Sequence, residues 1–213
     1  DDDEAACPGW IDALVTAADR WDADVVGGAV LREMDSPLPA WASRHPLLQP
    51  KRRDKSGPVS LVDSTANVLM SANALRRIGA RPFDERMALT GGSDKQLFTR
   101  MQRAGFRFAW SEEALVTELI PASRVTAKWL LMRGYRVGMT DMIVARTHGG
   151  ALRAALSESP RIAVGFLVGA VGPLTTLDRG KRVERLGKLY RAAGKIAGLT
   201  GVHYEEYRKV HGA

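Results

Sequence analysis

The chain has 213 residues, of which 45% are apolar and 26% charged, a composition typical of a globular protein with one or two domains. Its one cysteine, Cys7, excludes an internal disulfide and suits a reducing compartment. The opening run from Asp1 to Glu4 is neither basic nor apolar, so it predicts no signal peptide here. Because no initiator methionine precedes these acids, we expect the sequence to be a fragment whose upstream part is absent.

The first half of the chain predicts an alternation of short strands and helices. The acids at residues 1–4 are predicted to form the turn after a strand. Pro8 favours the start of a helix that runs to about Trp21, and residues 24–30 form an apolar run typical of a buried strand. Residues 35–58 are rich in Pro, Lys and Arg, which predicts a long loop, and long loops in compact domains tend to be functional or mobile.

The next segment continues the alternation. Residues 59–70 alternate loosely between apolar and polar and predict a strand, and a helix is expected from Ser71 to Gly79. Ser93 is predicted to cap a helix that stops at Gly105. Residues 106–110 and 114–118 are strand candidates, and a long helix is expected over residues 126–146. Alternating elements of this kind indicate an α/β domain.

After Ser157 the sequence changes character. Residues 162–174 are apolar apart from glycines, but about thirteen residues are too few for a membrane-spanning helix, which needs roughly twenty. Residues 179–199 predict a basic amphipathic helix. Eleven of the lysines and arginines lie after residue 150, against five acids. We interpret residues 149–213 as a helical region that lies at an anionic membrane interface, with packing on the α/β domain as the alternative.

Three groups of residues carry possible chemistry. The first is Asp1 and Asp3, since two carboxylates two residues apart on a turn can reach a divalent metal or a ribose. Taken alone, an acidic terminus is more often simply solvated.

The second group is Gly91-Gly92-Ser93-Asp94, at the predicted start of a helix. Two glycines allow the backbone to approach a ligand closely, and Asp94 is placed where a general base can face that ligand. The alternative is an ordinary helix cap.

The third group is Arg133 and Arg136, which are three residues apart on a helix and can hold phosphates, although such pairs are usually surface charge.

The order and spacing of these groups resemble the family 2 glycosyltransferases of the GT-A fold, and most closely the succinoglycan-type glucosyltransferases of bacterial polysaccharide synthesis. The likeness covers about residues 1–140. It is carried by the following stretches: residues 1–4 with Pro8-Gly9-Trp10, residues 24–28, 66–70 and 83–86, and Gly91-Gly92-Ser93-Asp94 through Gly105.

The resemblance implies an inverting transfer from a nucleotide-diphosphate sugar to a glycan or lipid-linked acceptor. Asp1 and Asp3 would form the metal and nucleotide-sugar motif, with Asp3 as the ligand of Mn²⁺ or Mg²⁺. Asp94 would be the base that deprotonates the acceptor hydroxyl, and Asn67 would hydrogen-bond the donor sugar. For the remaining site residues, the resemblance implies that Gly91 and Gly92 let the backbone approach the substrate closely. It also implies that Arg133 and Arg136 bind the diphosphate.

The sequence departs from the family pattern in two respects. Ser93 stands where the family usually has Glu, and the nucleotide-binding first half of the family domain does not precede Asp1. We therefore expect residues 1–148 to be the acceptor-side part of a GT-A catalytic domain, inactive alone.

Other functions remain open from the sequence. A membrane-surface interaction module built on the basic C-terminal helices is the main alternative. A cytoplasmic location on the inner face of the plasma membrane is expected for the glycosyltransferase and for this module alike. Nucleic-acid binding is suggested only by charge, so no nucleic-acid partner is predicted. A metal-dependent phosphohydrolase would need a histidine cluster, whereas the four histidines are scattered through the chain.

Overall fold

A computed structural model describes residues 4–62, 64–87 and 90–201. The strands are β1 (Glu4–Ala6), β2 (Val25–Met34), β3 (Gly57–Val59), β4 (Val68–Met70) and β5 (Phe108–Ile120). The α-helices are α1 (Trp10–Arg20), α2 (Ala72–Ile78), α3 (Ser93–Arg103), α4 (Ala127–Gly149), α5 (Ala151–Val171) and α6 (Arg179–Thr200). Short 3₁₀ helices cover Pro46–Leu48, Glu85–Met87, Ala122–Arg124 and Gly172–Thr175.

The chain forms two compact units. The first takes its described residues from 1–33, 49–85 and 93–120, and the second from 34–48, 86–92 and 121–213. Helix α4 therefore groups with α5 and α6 in the second unit. The predicted domain division after residue 148 remains a prediction.

The first unit is a mixed α/β structure built on one five-stranded sheet. The strand order is β1-β5-β2-β4, and β3 also pairs with β5. The β1–β5, β3–β5 and β2–β4 pairs are antiparallel, with Val25 opposite Met70 and Gly57 opposite Trp110. The expectation of an α/β domain is confirmed at this level.

Helices α1 and α3 cover opposite faces of the sheet. Val25 and Phe108 pack in a cluster with Phe98 of α3, whereas Val26 and Ala109 pack with Leu14 of α1. Successive strand residues point to opposite faces, so adjacent residues of β2 and β5 supply the two cores. The apolar face of α1 closes one core, and α3 closes the other together with Ala74 and Ile78 of α2.

Two strand predictions are wrong. Residues 59–70 contain the last residue of β3 and the whole of β4, and before β4 the hydroxyl of Ser64 accepts a hydrogen bond from the backbone N–H of Ala66 (3.2 Å), which favours a turn at that point. Conversely, the strands expected at 106–110 and 114–118 are one strand, β5. The exposed pair Glu112 and Glu113 interrupts the apolar pattern but not the strand.

The second unit is built around helices α4, α5 and α6. The helices expected over 126–146 and 179–199 are confirmed as α4 and α6. Most of the apolar run at 162–174 belongs to α5, which begins eleven residues earlier, at Ala151, and its last three residues lie in the 3₁₀ helix Gly172–Thr175. Within the described residues, Ala151–Thr175 is long and apolar enough to cross a membrane by length and composition. The expectation that this region is too short to span is therefore wrong.

Glycines bring the backbones of these helices close together. A Cβ atom added to Gly134 of α4 would lie 3.2 Å from the carbonyl oxygen of Gly187 on α6. One added to Gly198 would lie 2.5 Å from the carbonyl oxygen of Met139, and one added to Gly165 of α5 would lie 2.9 Å from the Cβ of Ala192. Small residues at matched positions permit this approach, as they do in helix pairs within membranes.

A cluster of charged side chains links the three helices. The ammonium of Lys195, on α6, is buried and pairs with Glu158 of α5 and with Asp141 of α4 (Nζ–Oδ2 3.8 Å). Arg191 of α6 also contacts Asp141 (2.7 Å). A buried ammonium needs such partners, because desolvation without them is costly.

Candidate functional site

The acidic motif cannot be placed in the structure, because Asp1 and Asp3 lie outside the described residues. Within those residues, no group of three or more His, Cys, Asp or Glu side chains is arranged to hold a metal ion. The roles of Asp3 as the ligand of Mn²⁺ or Mg²⁺ and of Asp1 as a nucleotide-sugar contact remain predictions.

Asp94 lies in the first turn of α3, in the first unit, and is partly exposed. Its Oδ2 accepts a hydrogen bond from the backbone N–H of Thr65 (3.3 Å), and its Oδ1 accepts one from the hydroxyl of Ser93 (3.2 Å). The positive end of the helix dipole stabilises negative charge at this position. The carboxylate is thus held in place while part of it remains accessible, an arrangement suited to accepting a proton from a bound hydroxyl.

Ser93 does not have the predicted capping role. It is the first helical residue of α3, so Gly92 occupies the capping position. Its hydroxyl is instead directed at the carboxylate of Asp94.

Asn67 is buried and fully engaged within the protein. Its Nδ2 donates to the carbonyl oxygens of Ala29 (2.9 Å) and Ala114 (2.8 Å), and its Oδ1 accepts from the indole of Trp10 (2.8 Å). Gly28 makes room for this amide, since a Cβ there would clash with it and lie 2.5 Å from the oxygen of Ala114. The side chain bridges α1, β2 and β5, and its predicted contact with a donor sugar remains a prediction.

Gly91 and Gly92 lie in the second unit, with φ angles of 70° and 90°. These angles favour glycine. The carbonyl oxygen of Gly91 accepts a hydrogen bond from the hydroxyl of Thr140 on α4 (3.3 Å), and a Cβ on Gly92 would clash with the methyl group of the same threonine. Packing against α4 accounts for the glycine pair, and close approach to a ligand is an additional role that remains a prediction.

The two arginines on α4 have different surroundings. The guanidinium of Arg133 lies over the ring of Trp129, 5.7 Å from its centroid, and is partly exposed. Arg136 is 5% exposed. Three-residue spacing alone predicted that they act as a pair, but only Arg133 is accessible to a phosphate without rearrangement.

The predicted loop at 35–58 is divided between the units. Residues 34–48 belong to the second unit and include a 3₁₀ helix, whereas residues 49–58 belong to the first and lead into β3. Residues 53–59 line a depression of about 620 Å³ in the first unit. The guanidinium of Arg53 lies over the ring of Trp110, 5.4 Å from its centroid, and gives this depression a basic border.

Within the first unit, the structure brings the carboxylate of Asp94 to the backbone of Thr65 and the amide of Asn67 to the indole of Trp10. Sequence reasoning identified Asp94 and Asn67 but missed Thr65 and the indole donor of Trp10. Both contacts join residues far apart in the chain, 29 positions for Thr65 and Asp94 and 57 for Trp10 and Asn67. No local pattern in the sequence signals either one.

Comparison with known proteins gives one informative match. The chain is 28% identical over 210 residues to the succinoglycan biosynthesis protein ExoM of Rhizobium meliloti (strain 1021). The match covers 97% of this chain and 67% of that protein. No family model matches the chain, and no solved structure matches it.

Proposed function

We propose that the protein is a glycosyltransferase of polysaccharide synthesis, which moves a sugar from a nucleotide-diphosphate donor to a glycan or lipid-linked acceptor with inversion. The observation that carries this proposal is the similarity to a succinoglycan biosynthesis protein along almost the whole chain. The mixed α/β unit is compatible with a GT-A domain. The tethered, partly exposed carboxylate of Asp94 supplies a group of the required chemistry.

Asp94 acts as the general base in this proposal. Its carboxylate takes the proton of the acceptor hydroxyl, and the hydroxyl oxygen attacks the anomeric carbon from the side opposite the diphosphate. The bond between that carbon and the phosphate oxygen breaks, and the nucleoside diphosphate leaves with the bonding electrons. The amide of Thr65 keeps Oδ2 in position, so the proton acceptor is oriented before the substrate arrives.

The other predicted residues serve binding. Asp1 would contact the nucleotide sugar and Asp3 would hold Mn²⁺ or Mg²⁺, which would neutralise the charge of the departing diphosphate. Arg133, in the second unit, is proposed to bind phosphate. The depression at residues 53–59 is proposed to receive the acceptor, and Asn67 supports the donor side mainly by fixing the position of β2 and β5.

The substitution Asp94→Asn in the full-length protein tests the base. We expect sugar transfer to fall by about 10²–10⁴-fold, because the amide cannot accept the proton, while donor KM stays near the wild-type value. Release of nucleoside diphosphate from a panel of nucleotide sugars, with bacterial lipid extract as acceptor, measures the rate. Asp12→Asn makes the same chemical change at an exposed site on α1 and is expected to leave the rate unchanged.

A transfer rate for Asp94→Asn within a few-fold of wild type would contradict the role of this residue.

Chelation provides a separate test of the metal. We expect EDTA to stop transfer and added Mn²⁺ or Mg²⁺ to restore it, and transfer that continues in EDTA would remove the metal from the proposal.

A further inference from the structure

Exposed apolar side chains are concentrated on α5 and the turn that follows it. Of the fourteen large apolar side chains that are exposed in the described part of the chain, eight lie between Leu152 and Leu177. Leu174 and Leu177 are 84% and 92% exposed, and Leu152 is 75% exposed. Contiguous apolar surface of this kind usually marks a site of interaction.

The packing of α5 fixes which of its faces is exposed. Gly165 and Gly169, one helical turn apart, lie against α6, where added Cβ atoms would meet Ala192 and Leu189. Helical periodicity places Leu152, Leu156 and Leu167 on the opposite side, in one stripe along the helix. Because the glycine face requires close backbone contact, the stripe cannot turn inward without separating α5 from α6.

Basic side chains lie next to this apolar surface. Arg182 and Arg185 donate hydrogen bonds to carbonyl oxygens of the α5–α6 turn, at Thr176 (2.8 Å) and Gly172 (2.6 Å). Lys181 and Lys188 are exposed on α6. Between residues 151 and 201 the sequence has nine lysines and arginines against three acids. An anionic partner with an apolar interior therefore complements the surface.

We propose that the outer face of α5, with the turn at Leu174 and Leu177, is a docking surface for an anionic phospholipid bilayer. The helix lies in the plane of the interface, with its leucine stripe among the acyl chains and the cations of α6 near the headgroups.

The structure favours an interfacial helix over a span. The inner face of α5 is packed on α6, which carries seven lysines and arginines along its length. Crossing the bilayer would require α5 to leave this helix or to draw those charges into the hydrocarbon region. The buried pair of Glu158 and Lys195 opposes such a separation.

The sequence indicated an interfacial role for the whole region 149–213, and the structure distinguishes the parts played by its two helices. The amphipathic pattern of residues 179–199 pointed to α6, but Val183 and Ala192 of that helix are buried. Helix α6 supplies charge, and α5 supplies the apolar face. This inference rests on exposure and charge in the second unit and does not depend on the proposed enzymatic function.

Co-sedimentation with vesicles tests the proposal on the full-length protein. We expect binding to vesicles of equal parts phosphatidylglycerol and phosphatidylcholine, and at least about tenfold weaker binding to phosphatidylcholine alone. Replacing Leu167, Leu174 and Leu177 with serine should weaken binding on the order of a hundredfold. The matched control replaces Ile11, Val15 and Leu119, which are also exposed but lie in the first unit, and should bind as wild type.

A second variant, Lys181→Gln with Lys188→Gln, separates charge from apolar contact. We expect about tenfold weaker binding to the anionic vesicles and little change with neutral ones.

Equal affinity of wild type for both vesicles, or unchanged binding by the leucine variant, would overturn the proposal. So would vesicle-free self-association that the leucine variant abolishes, which would assign the face to a second copy. Retention on the vesicles through high salt and alkaline washing would indicate a span instead.

Discussion

At the scale of single residues, the indole of Trp10 is the donor that completes the hydrogen bonding of Asn67. Trp10→Phe keeps an aromatic ring but removes the donor, so it leaves the buried Oδ1 of Asn67 without this partner. We expect the free energy of unfolding to fall by about 1–3 kcal/mol. Urea denaturation measures the change, and Trp21→Phe controls for the smaller ring. A loss no larger than that of the control would show that this hydrogen bond contributes little.

His45 gives a prediction about pH. Burial lowers the pKa of His45 below the usual value, against a smaller opposing effect of Glu184. Its Nδ1 accepts a hydrogen bond from the backbone N–H of Leu47 (3.3 Å), which requires the neutral ring. The unfolded state therefore binds the proton more readily, so this contribution to stability is present above about pH 6.5 and is lost as pH falls through the lowered folded-state pKa.

The measurement for His45 is the free energy of unfolding between about pH 8 and pH 5. His45→Asn retains an acceptor near Nδ1 but does not titrate, so its stability should fall less over this range than that of wild type. Parallel curves for the two proteins would rule out His45 as a source of the pH dependence.

Asn67 shows why the role of a single residue is hard to infer from sequence. Its place beside a strand within a family-like stretch predicted a contact with the donor sugar. The structure shows three hydrogen bonds of this side chain, to atoms 38, 47 and 57 positions away in the sequence. Such partners are set by the folded chain and have no local signature. The place of Asp94 at the start of a helix was easier to predict, because a carboxylate that follows two glycines and a serine is a local pattern.

At the scale of elements, the helix pairing in the second unit predicts opposite effects for two glycine substitutions. A Cβ on Gly138 of α4 would clash with the carbonyl oxygen of Arg191 on α6, whereas one on Gly187 of α6 would have no neighbour within 4 Å. Gly138→Ala should therefore destabilise the protein by about 2 kcal/mol. Gly187→Ala should stabilise it by about 0.5–1 kcal/mol, since alanine has the higher helix propensity.

Thermal unfolding of the two variants beside wild type measures this difference. Each is a glycine-to-alanine change within a helix, so they serve as controls for one another. If both stabilised the protein, α4 and α6 would not be packed as closely as the structure shows.

Helices were more predictable than strands. The caps of α2 are local, with Ser71 accepting from the N–H of Ala74 (3.0 Å) at one end and Gly79 at the other, and the sequence predicted both ends within a residue. β5 was split in the prediction because Glu112 and Glu113 read as a break. The backbone of Glu112 is held by the hydroxyl of Ser56, 56 positions away. Strand pairing depends on such distant segments, which periodicity cannot reveal.

At the scale of the whole molecule, the chain passes between the two compact units several times. Residues 34–48 and 86–92 join the second unit although most of their neighbours in sequence belong to the first. In the second unit, Arg179 lies over the ring of Trp41, 4.9 Å from its centroid, and Thr140 contacts Gly91. A single cut in the sequence therefore does not separate the units, and a division after residue 148 would also part α4 from α6.

This arrangement predicts that residues 149–213 do not fold alone. They lack α4, so Lys195 and Arg191 lose Asp141, and the glycine face of α6 that includes Gly194 and Gly198 becomes exposed. We expect this fragment to show no cooperative thermal transition by circular dichroism, and its amide protons to exchange rapidly with solvent. The fragment 121–213 restores α4 and serves as the comparison, with higher helicity expected. A cooperative transition of 149–213 at the temperature of the intact protein would show that α5 and α6 do not need α4, and that the helical region is a separate domain.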